Sequence, residues 1–299
     1  MAAGARPGGV ARRGLLRRGL LRAGMARGGA TAARAAAPAS GAPDREAAGV
    51  WGAADAVCFD VDSTVCVDEG IDELAAALGK GEEVAAWTVK AMTGGVPFEE
   101  ALAARLTIID PTAAKLERFL AANPPRLSPG MAELARRLQG RGTAVYLVSG
   151  GFRQMIAPVA ELLGVPAGNV YANEILFAAD GSYAGFNDRE FTSRQGGKAE
   201  AIKHLKAEHG YRTVVMVGDG MTDLEARQPG GASLFVGYGG NVVRETVAAR
   251  AVRAAGRGGR SRAGRVTGLT WAAGPPTTGL VRGQLRAADS RAGVAFGTA

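Results

Sequence analysis

Three short apolar runs, each closing on a polar residue, constrain this chain more than any other feature. Ala56-Val57-Cys58-Phe59 ends at Asp60, Thr143-Ala144-Val145-Tyr146-Leu147-Val148 ends at Ser149, and Thr213-Val214-Val215-Met216-Val217 ends at Gly218-Asp219. Each run is continuous and β-branched rather than alternating, as a strand buried on both faces of a parallel sheet must be. Helical patterns separate them. Ser128 reads as an N-cap with Pro129 at the first helical position, ahead of Met131, Leu134, Ala135 and Leu138. Gly196-Gly197-Lys198 likewise opens a helical segment from Ala199 to Leu205. Alternation of strands and helices predicts right-handed crossovers and a doubly wound, Rossmann-like α/β parallel sheet, whose ligand site lies beyond the carboxyl ends of its strands. Those ends carry Asp60, Ser149 and Asp219.

The stretch 67–127 between the first two strands is helical in pattern and too long for a simple crossover, with Ile71, Leu74, Ala75 and Leu78 on one face. It reads as an inserted helical cap, placed where a lid excludes water. Residues 175–186 centre on Asp180-Gly181 between apolar flanks, the signature of a small β-hairpin flap. An α/β core is thus expected over 49–66 and 128–249.

The net charge of +8 suggests a nucleic-acid or membrane partner until it is divided along the chain. Residues 1–43 hold eight arginines and no acid, residues 250–299 hold nine arginines against Asp289, and the stretch between has 19 bases against 27 acids. The globular part is therefore acidic, and neither nucleic acid nor membrane is an expected partner. The Arg-Leu-rich opening, without a carboxylate before Asp44, fits an organelle transit peptide over 1–48, disordered before cleavage. A plastid is the first destination and a mitochondrion the alternative; a basic arm that stays attached is the bland reading. The Gly/Ala/Arg tail 250–299 lacks periodicity and reads as disordered or as a frameshifted exon. No apolar run reaches the ~18 residues of a membrane span. Cys58 and Cys66 alone make neither a disulfide scaffold nor a Cys-rich zinc site.

The chemistry begins at Asp60-Val61-Asp62-Ser63-Thr64, two carboxylates two residues apart after a buried strand. Alone this fits a capped loop, but Gly218-Asp219-Gly220-Met221-Thr222-Asp223 closes the third strand and would bring four aspartates together. Such repulsion, on the order of several kcal/mol per close pair, calls for a cation. Few protein oxygens with room for water and phosphate suit Mg²⁺. Ser149-Gly150-Gly151 and Lys198 at a helix head supply a hydroxyl, free N–H groups and an ammonium, the parts of a phosphate cradle. A P-loop is excluded because its first glycine would fall at Thr192 and Ala199 follows Lys198. Gly237-Tyr238-Gly239-Gly240-Asn241-Val242 lacks the third glycine of a dinucleotide fingerprint.

Asp60-x-Asp62-x-Thr64, Ser149, Lys198 and Gly218-Asp219-Gly220-x-x-Asp223 together resemble the four ordered motifs of haloacid-dehalogenase-superfamily phosphatases. Asp68-Glu69-Gly70, Met92, Val96-Pro97-Phe98, Arg105-Leu106, Ser149-Gly150-Gly151-Phe152-Arg153 and the segment from Gly237 to Arg244 carry the resemblance to the superfamily's phosphoserine-specific branch, over about residues 55–249. The resemblance implies that Asp60 is the nucleophile and Asp62 the general acid and base. It implies Mg²⁺ held by Asp60, Asp219 and the backbone carbonyl of Asp62, with Asp223 behind them. Ser149, Gly150, Lys198 and Thr222 would surround the phosphoryl group. Glu69 would take the substrate ammonium, Arg105 its carboxylate, and Met92 and Phe98 the apolar wall. The implied substrate is O-phospho-L-serine. Another small phosphomonoester, or an inactive Mg²⁺- and phosphate-binding protein, stands as the alternative, and the oligomeric state is open, a homodimer included. Family members continue past Ala249 into a further edge strand, which the Arg/Gly tail is expected to replace, leaving that sheet edge uncovered.

Overall fold

The computed structural model describes residues 45–92, 96–256 and 269–273, with side chains over 46–90 and 96–250. The chain opens with α1 (Arg45–Gly52), β1 (Ala56–Phe59) and one wide helical turn over Val61–Val65. Four helices follow: α2 (Gly70–Ala77), α3 (Gly81–Met92), α4 (Phe98–Ile109) and α5 (Ala113–Ala122). Then come α6 (Met131–Gly140), β2 (Ala144–Phe152), α7 (Arg153–Leu163), β3 (Val170–Asn173) and the pair β4 (Ile175–Phe177) and β5 (Tyr183–Phe186). The remainder is α8 (Gly197–His209), β6 (Val214–Gly218), α9 (Met221–Glu225), β7 (Leu234–Gly239), α10 (Glu245–Gly256) and β8 (Leu269–Ala273).

Six strands form one sheet in the order β3-β2-β1-β6-β7-β8, and every pairing is parallel. β1 lies between β2 and β6, with Phe59 paired to Leu147 on one side and Val217 on the other. The continuous apolar runs follow from burial on both faces. Val57, Phe59, Val145, Leu147, Val215 and Val217 enter one core cluster. Their neighbours Ala56, Cys58, Tyr146, Val148, Val214 and Met216 enter the other, across the sheet. A third cluster joins Leu74, Leu102, Leu106, Ile109 and Leu116 of the inserted helices to Phe152 at the end of β2 and Ile175 of β4. β4 and β5 pair antiparallel about Asp180-Gly181, as the sequence suggests, with Gly181 at φ 80° and Asp180 Oδ1 accepting from Ser182 N at 2.9 Å.

Several expectations are corrected. Ser128 does not cap α6: Gly130, at φ 85°, is the N-cap, and Ser128 lies in the preceding turn. A glycine at positive φ sets the chain's entry there more cheaply than the Ser-Pro pair. β2 continues past Ser149 to Phe152 through an irregular register against β3. Residues 45–48, read from composition as part of a disordered leader, belong to α1, and Ala47 is buried in the core. Residues 1–44 lie outside the described residues. The tail is not wholly irregular: α10 runs through to Gly256, and β8 pairs in parallel with β7 from Phe235↔Leu269 to Gly239↔Ala273. The edge expected to be uncovered is therefore occupied. Leu269-Thr270-Trp271-Ala272-Ala273 is too short to show a period and is set among glycine and arginine, so it gave no signal. No described helix is long and apolar enough to cross a membrane.

Candidate active site

The carboxyl ends of β1, β2 and β6 converge, and each delivers the group expected of it. Asp60 follows β1 directly; its Oδ1 accepts from Val61 N at 2.7 Å and caps the wide turn that follows. Lys198, in the first turn of α8, is buried between two carboxylates, with Nζ 2.9 Å from Asp60 Oδ2 and 2.6 Å from Asp223 Oδ1. Burial alone would lower its pKa, but Asp223 and Asp60 outweigh that and hold the ammonium above its ordinary value. Asp223 reaches this position from α9 because Gly218 has no side chain: a Cβ there would lie 2.2 Å from Asp223 Cγ. Gly220 N donates to Asp223 Oδ2 at 2.9 Å, fixing the second oxygen.

Asp60, Asp219 and Asp223 each place a carboxylate oxygen within 4.8 Å of the others. Burial, then repulsion from Asp60, pushes Asp219 and Asp223 above the ordinary carboxylate range. Hard oxygen donors crowded in this way are the chemistry of a site for a hard divalent cation. The third side chain of the trio is Asp223. The Asp62 carboxylate is turned aside and accepts from Gly70 N at 2.8 Å, which agrees with a role other than carboxylate ligation.

Asp62 sits at the bend of the wide turn, and Ser63 beside it has φ 52°, a left-handed conformation for a residue with a side chain. Burial first, then repulsion from Asp60 and Glu69, pushes the Asp62 carboxyl up to about 7. The turn also aims Ser63 Oγ at Glu69 Oε1, 2.7 Å away. Arg105 of α4 donates through Nε to Ala101 O at 3.2 Å; burial lowers its pKa, while Asp72, Glu69 and Asp62 favour its charge. Glu69 and Arg105 of the cap insertion therefore face the same acidic centre as Asp62.

Ser149 is fully buried in β2 and its Oγ accepts from Gly151 N at 2.9 Å. Gly150 O is held by Asn173 Nδ2 at 2.8 Å, and the Phe98 ring lies against Gly150, 3.2 Å from where a Cβ would stand. Thr222 is in the first turn of α9, beside Asp223. The Met92 side chain lies outside the described residues. A cavity of about 580 Å³ is lined by Asp62 and Gly151 together with Ile71, Phe119 and Leu120 of the insertion and Met155 and Val159 of α7.

Three contributors carry no assigned role in the sequence reading. Thr64 Oγ1 donates to Asp219 Oδ1 at 3.0 Å. Arg244, after β7, donates through Nε to Asp219 Oδ2 at 2.6 Å and through Nη2 to Glu69 Oε1 at 2.9 Å. Asn241 Nδ2 meets Ser63 O and Cys66 O, both at 3.1 Å, and Ser128 Oγ at 2.6 Å. The last two stand in the glycine-rich segment after Gly237, where the only sequence signal was resemblance without an assigned role.

Comparison with known proteins places this geometry. Residues 54–231 match the model of the haloacid dehalogenase-like hydrolase family. The chain is 56% identical over 207 residues to the chloroplastic phosphoserine phosphatase of Arabidopsis thaliana, covering 69% of this chain and 70% of that protein. A structure of DsGPDH of Dunaliella salina superposes with a TM-score of 0.62 at 36% identity, covering 70% of this chain; this chain spans only about a third of that protein, 35%. A phospho-aspartyl intermediate analogue of phosphoserine phosphatase superposes with a TM-score of 0.57 at 27% identity, covering 66% of this chain and 90% of that one. With the parallel sheet, the paired aspartates after β1 and the Lys198–Asp223 pair in place, the chain belongs to the haloacid dehalogenase-like hydrolases.

Proposed function

We propose that this protein is a Mg²⁺-dependent phosphatase that releases L-serine and phosphate from O-phospho-L-serine through a phosphoaspartyl intermediate. The observation that carries the reading is the division of labour between Asp60 and Asp62. Asp60 is ion-paired to buried Lys198 and accepts a backbone hydrogen bond, which together hold its carboxylate in place as a nucleophile. Asp62, not in direct ion pair with Lys198 and pushed up to about 7 chiefly by burial, can carry a proton near neutral pH as a general acid must.

In the first half-reaction an Asp60 oxygen bonds to phosphorus in line with the leaving seryl oxygen, the P–O bond to serine breaks, and Asp62 gives its proton to that oxygen. In the second, Asp62, now ionised, takes a proton from water as the water oxygen bonds to phosphorus and the acyl-phosphate bond to Asp60 breaks. Lys198, Ser149, and the N–H groups around Gly150 and Thr222 hold the phosphoryl group, so that catalysis rests on positioning and charge neutralisation. Asp60 and Asp219, with the backbone carbonyl of Asp62, would hold Mg²⁺, and Asp223 would orient its waters or Lys198 from behind. When bound, the ion offsets the charge shared between the carboxylates and the phosphoryl oxygens.

The core recognises only phosphate, so selectivity falls to the helical insertion over 67–127, read as a cap. Glu69 would take the substrate ammonium and Arg105, with its planar fork, the carboxylate. Met92 and Phe98 would close the apolar side. The 56% identity to a phosphoserine phosphatase supports this substrate, and that relative's chloroplastic location, with the acid-free Arg-rich residues 1–43, supports a plastid. Phosphate release across a panel of phosphomonoesters, with and without EDTA, tests the whole reading. We expect O-phospho-L-serine to lead the panel and EDTA to stop turnover; preference for phosphothreonine or a sugar phosphate overturns the substrate.

A further inference from the structure

The turn that carries the general acid is held from outside itself. Asp62 has φ −62° and ψ 136° and Ser63 has φ 52° and ψ 4°, both breaking the helical geometry of the turn. A left-handed conformation is strained for a non-glycine residue and persists only where its surroundings impose it. Within the segment, Cys66 N donates to Val61 O at 2.8 Å, Val65 N to Asp60 O at 3.3 Å and Ser63 N to Asp68 O at 3.1 Å. These bonds use the carbonyls of Asp60, Val61 and Asp68. The Ser63 carbonyl is met from the loop after β7 by Asn241.

Asn241 is well suited to this. Its amide nitrogen has two hydrogens and faces three acceptors, the carbonyls of Ser63 and Cys66 at either end of the turn's second half and the Ser128 hydroxyl. One side chain thus spans the catalytic turn and ties it to the segment leading into α6. The loop that presents it is seated closely: a Cβ on Gly240 would fall 2.3 Å from the Tyr238 hydroxyl, so glycine is needed for Asn241 to reach the turn. Three residues on, Arg244 anchors the same loop to Asp219 and Glu69. The Asp62 carboxylate, in contrast, is fixed by one bond, from Gly70 N. Its direction therefore depends on the backbone beneath it.

We propose that Asn241 is a positioning residue for proton transfer: by holding the Ser63 and Cys66 carbonyls it sets the turn that points Asp62 at the leaving oxygen. The inference rests on the phosphatase reading above. Its signature is sensitivity to the leaving group. An alkoxide such as serine's needs Asp62's proton, whereas p-nitrophenolate departs without one. General acid catalysis contributes about 10²–10⁴-fold, so a misdirected Asp62 loses part of that factor on an alkyl phosphate only.

The experiment compares kcat/KM, which reports steps up to the first irreversible one, for O-phospho-L-serine and p-nitrophenyl phosphate with the full chain and Mg²⁺. For Asn241→Ala and the isosteric Asn241→Asp we expect the loss on O-phospho-L-serine to exceed that on p-nitrophenyl phosphate by about 10-fold or more, with KM for O-phospho-L-serine within about 2-fold of the parent because the ammonium, carboxylate and phosphate contacts are elsewhere. Asn241→Ser keeps one donor and should fall between; it also serves where the harsher variants fail to fold. Equal losses on both substrates, or no loss on either, overturn the role of Asn241 while leaving the phosphatase reading intact. If the parent prefers another alkyl phosphate, that ester replaces O-phospho-L-serine in the same comparison. A parent that hydrolyses no phosphomonoester overturns the reading itself.

Discussion

Replacing Gly218 with alanine drives a methyl group into Asp223. The new Cβ would stand 2.2 Å from Asp223 Cγ, 2.3 Å from Oδ2 and 2.7 Å from Cβ, so the carboxylate has to retreat by at least about 1.3 Å to reach ordinary contact. Its bonds to Lys198 Nζ, now 2.6 Å, and from Gly220 N, now 2.9 Å, then lengthen past hydrogen-bonding range. Hydrogen bonds to charged groups contribute about 1.5–3 kcal/mol each, giving a loss of about 3–6 kcal/mol from a domain whose whole stability is on the order of 5–15. For a domain of this size each kcal/mol moves Tm by about 2–4 °C, so a fall of at least about 6 °C is expected in thermal unfolding. Lys198 would also lose its second anchor, and misplacement of a catalytic group by about 1 Å costs on the order of 100-fold in rate. An alanine variant melting within about 2 °C of the parent, at full turnover, would show that the close packing of β6 against Asp223 does not govern the site.

Asp60→Asn should abolish the acid-stable, base-labile phosphoenzyme trapped from labelled substrate; normal trapping in that variant would remove Asp60 as nucleophile. Arg105→Ala should weaken preference for O-phospho-L-serine over a phosphate ester lacking the carboxylate, with Mg²⁺ affinity retained, and unchanged selectivity would clear the residue. In metal-free protein, Asp62 is raised from its ordinary value near 4 to about 7, so its stabilising effect is full below pH ~4 and is lost as pH rises through about 7. The loss is at most about 4 kcal/mol. The Tm of metal-free Asp62→Asn should therefore fall less than that of the metal-free parent between pH 5.5 and pH 8, and equal falls would refute this account of Asp62.

The core strands are legible in the sequence because burial on both faces demands uninterrupted apolar residues, and β1, β2 and β6 satisfy that demand in plain view. Asp60, Asp219 and Asp223 stand out because aspartates are costly at the end of a buried strand unless something needs them there. Arg244 and Asn241 were hidden for the opposite reason: a polar residue in a glycine-rich loop has an ordinary solvated reading, and only the fold shows that β7, beside β6, aims them at Asp219 and at the Asp62 turn. Gly130 is less legible as a cap than Ser128-Pro129, the stronger local signal, while Ser128 is engaged by Asn241 from the loop after β7, far along the chain. β8 was illegible because five residues in an arginine- and glycine-rich context display no period.

The adjacency of β1 and β6 also fixes when this protein comes alive. Thr64 and Asp219 touch although 155 residues separate them, and the intervening chain must complete its crossovers before β6 can slot in alongside β1. Contacts of such long range form slowly. A nascent polypeptide that has so far emerged only through β5 therefore carries Asp60 and Asp62 but neither Lys198 nor Asp219 and Asp223. Hydrolysis by a half-made chain is forestalled by topology alone, and the onset of phosphate release becomes a timer for the last strands threading home.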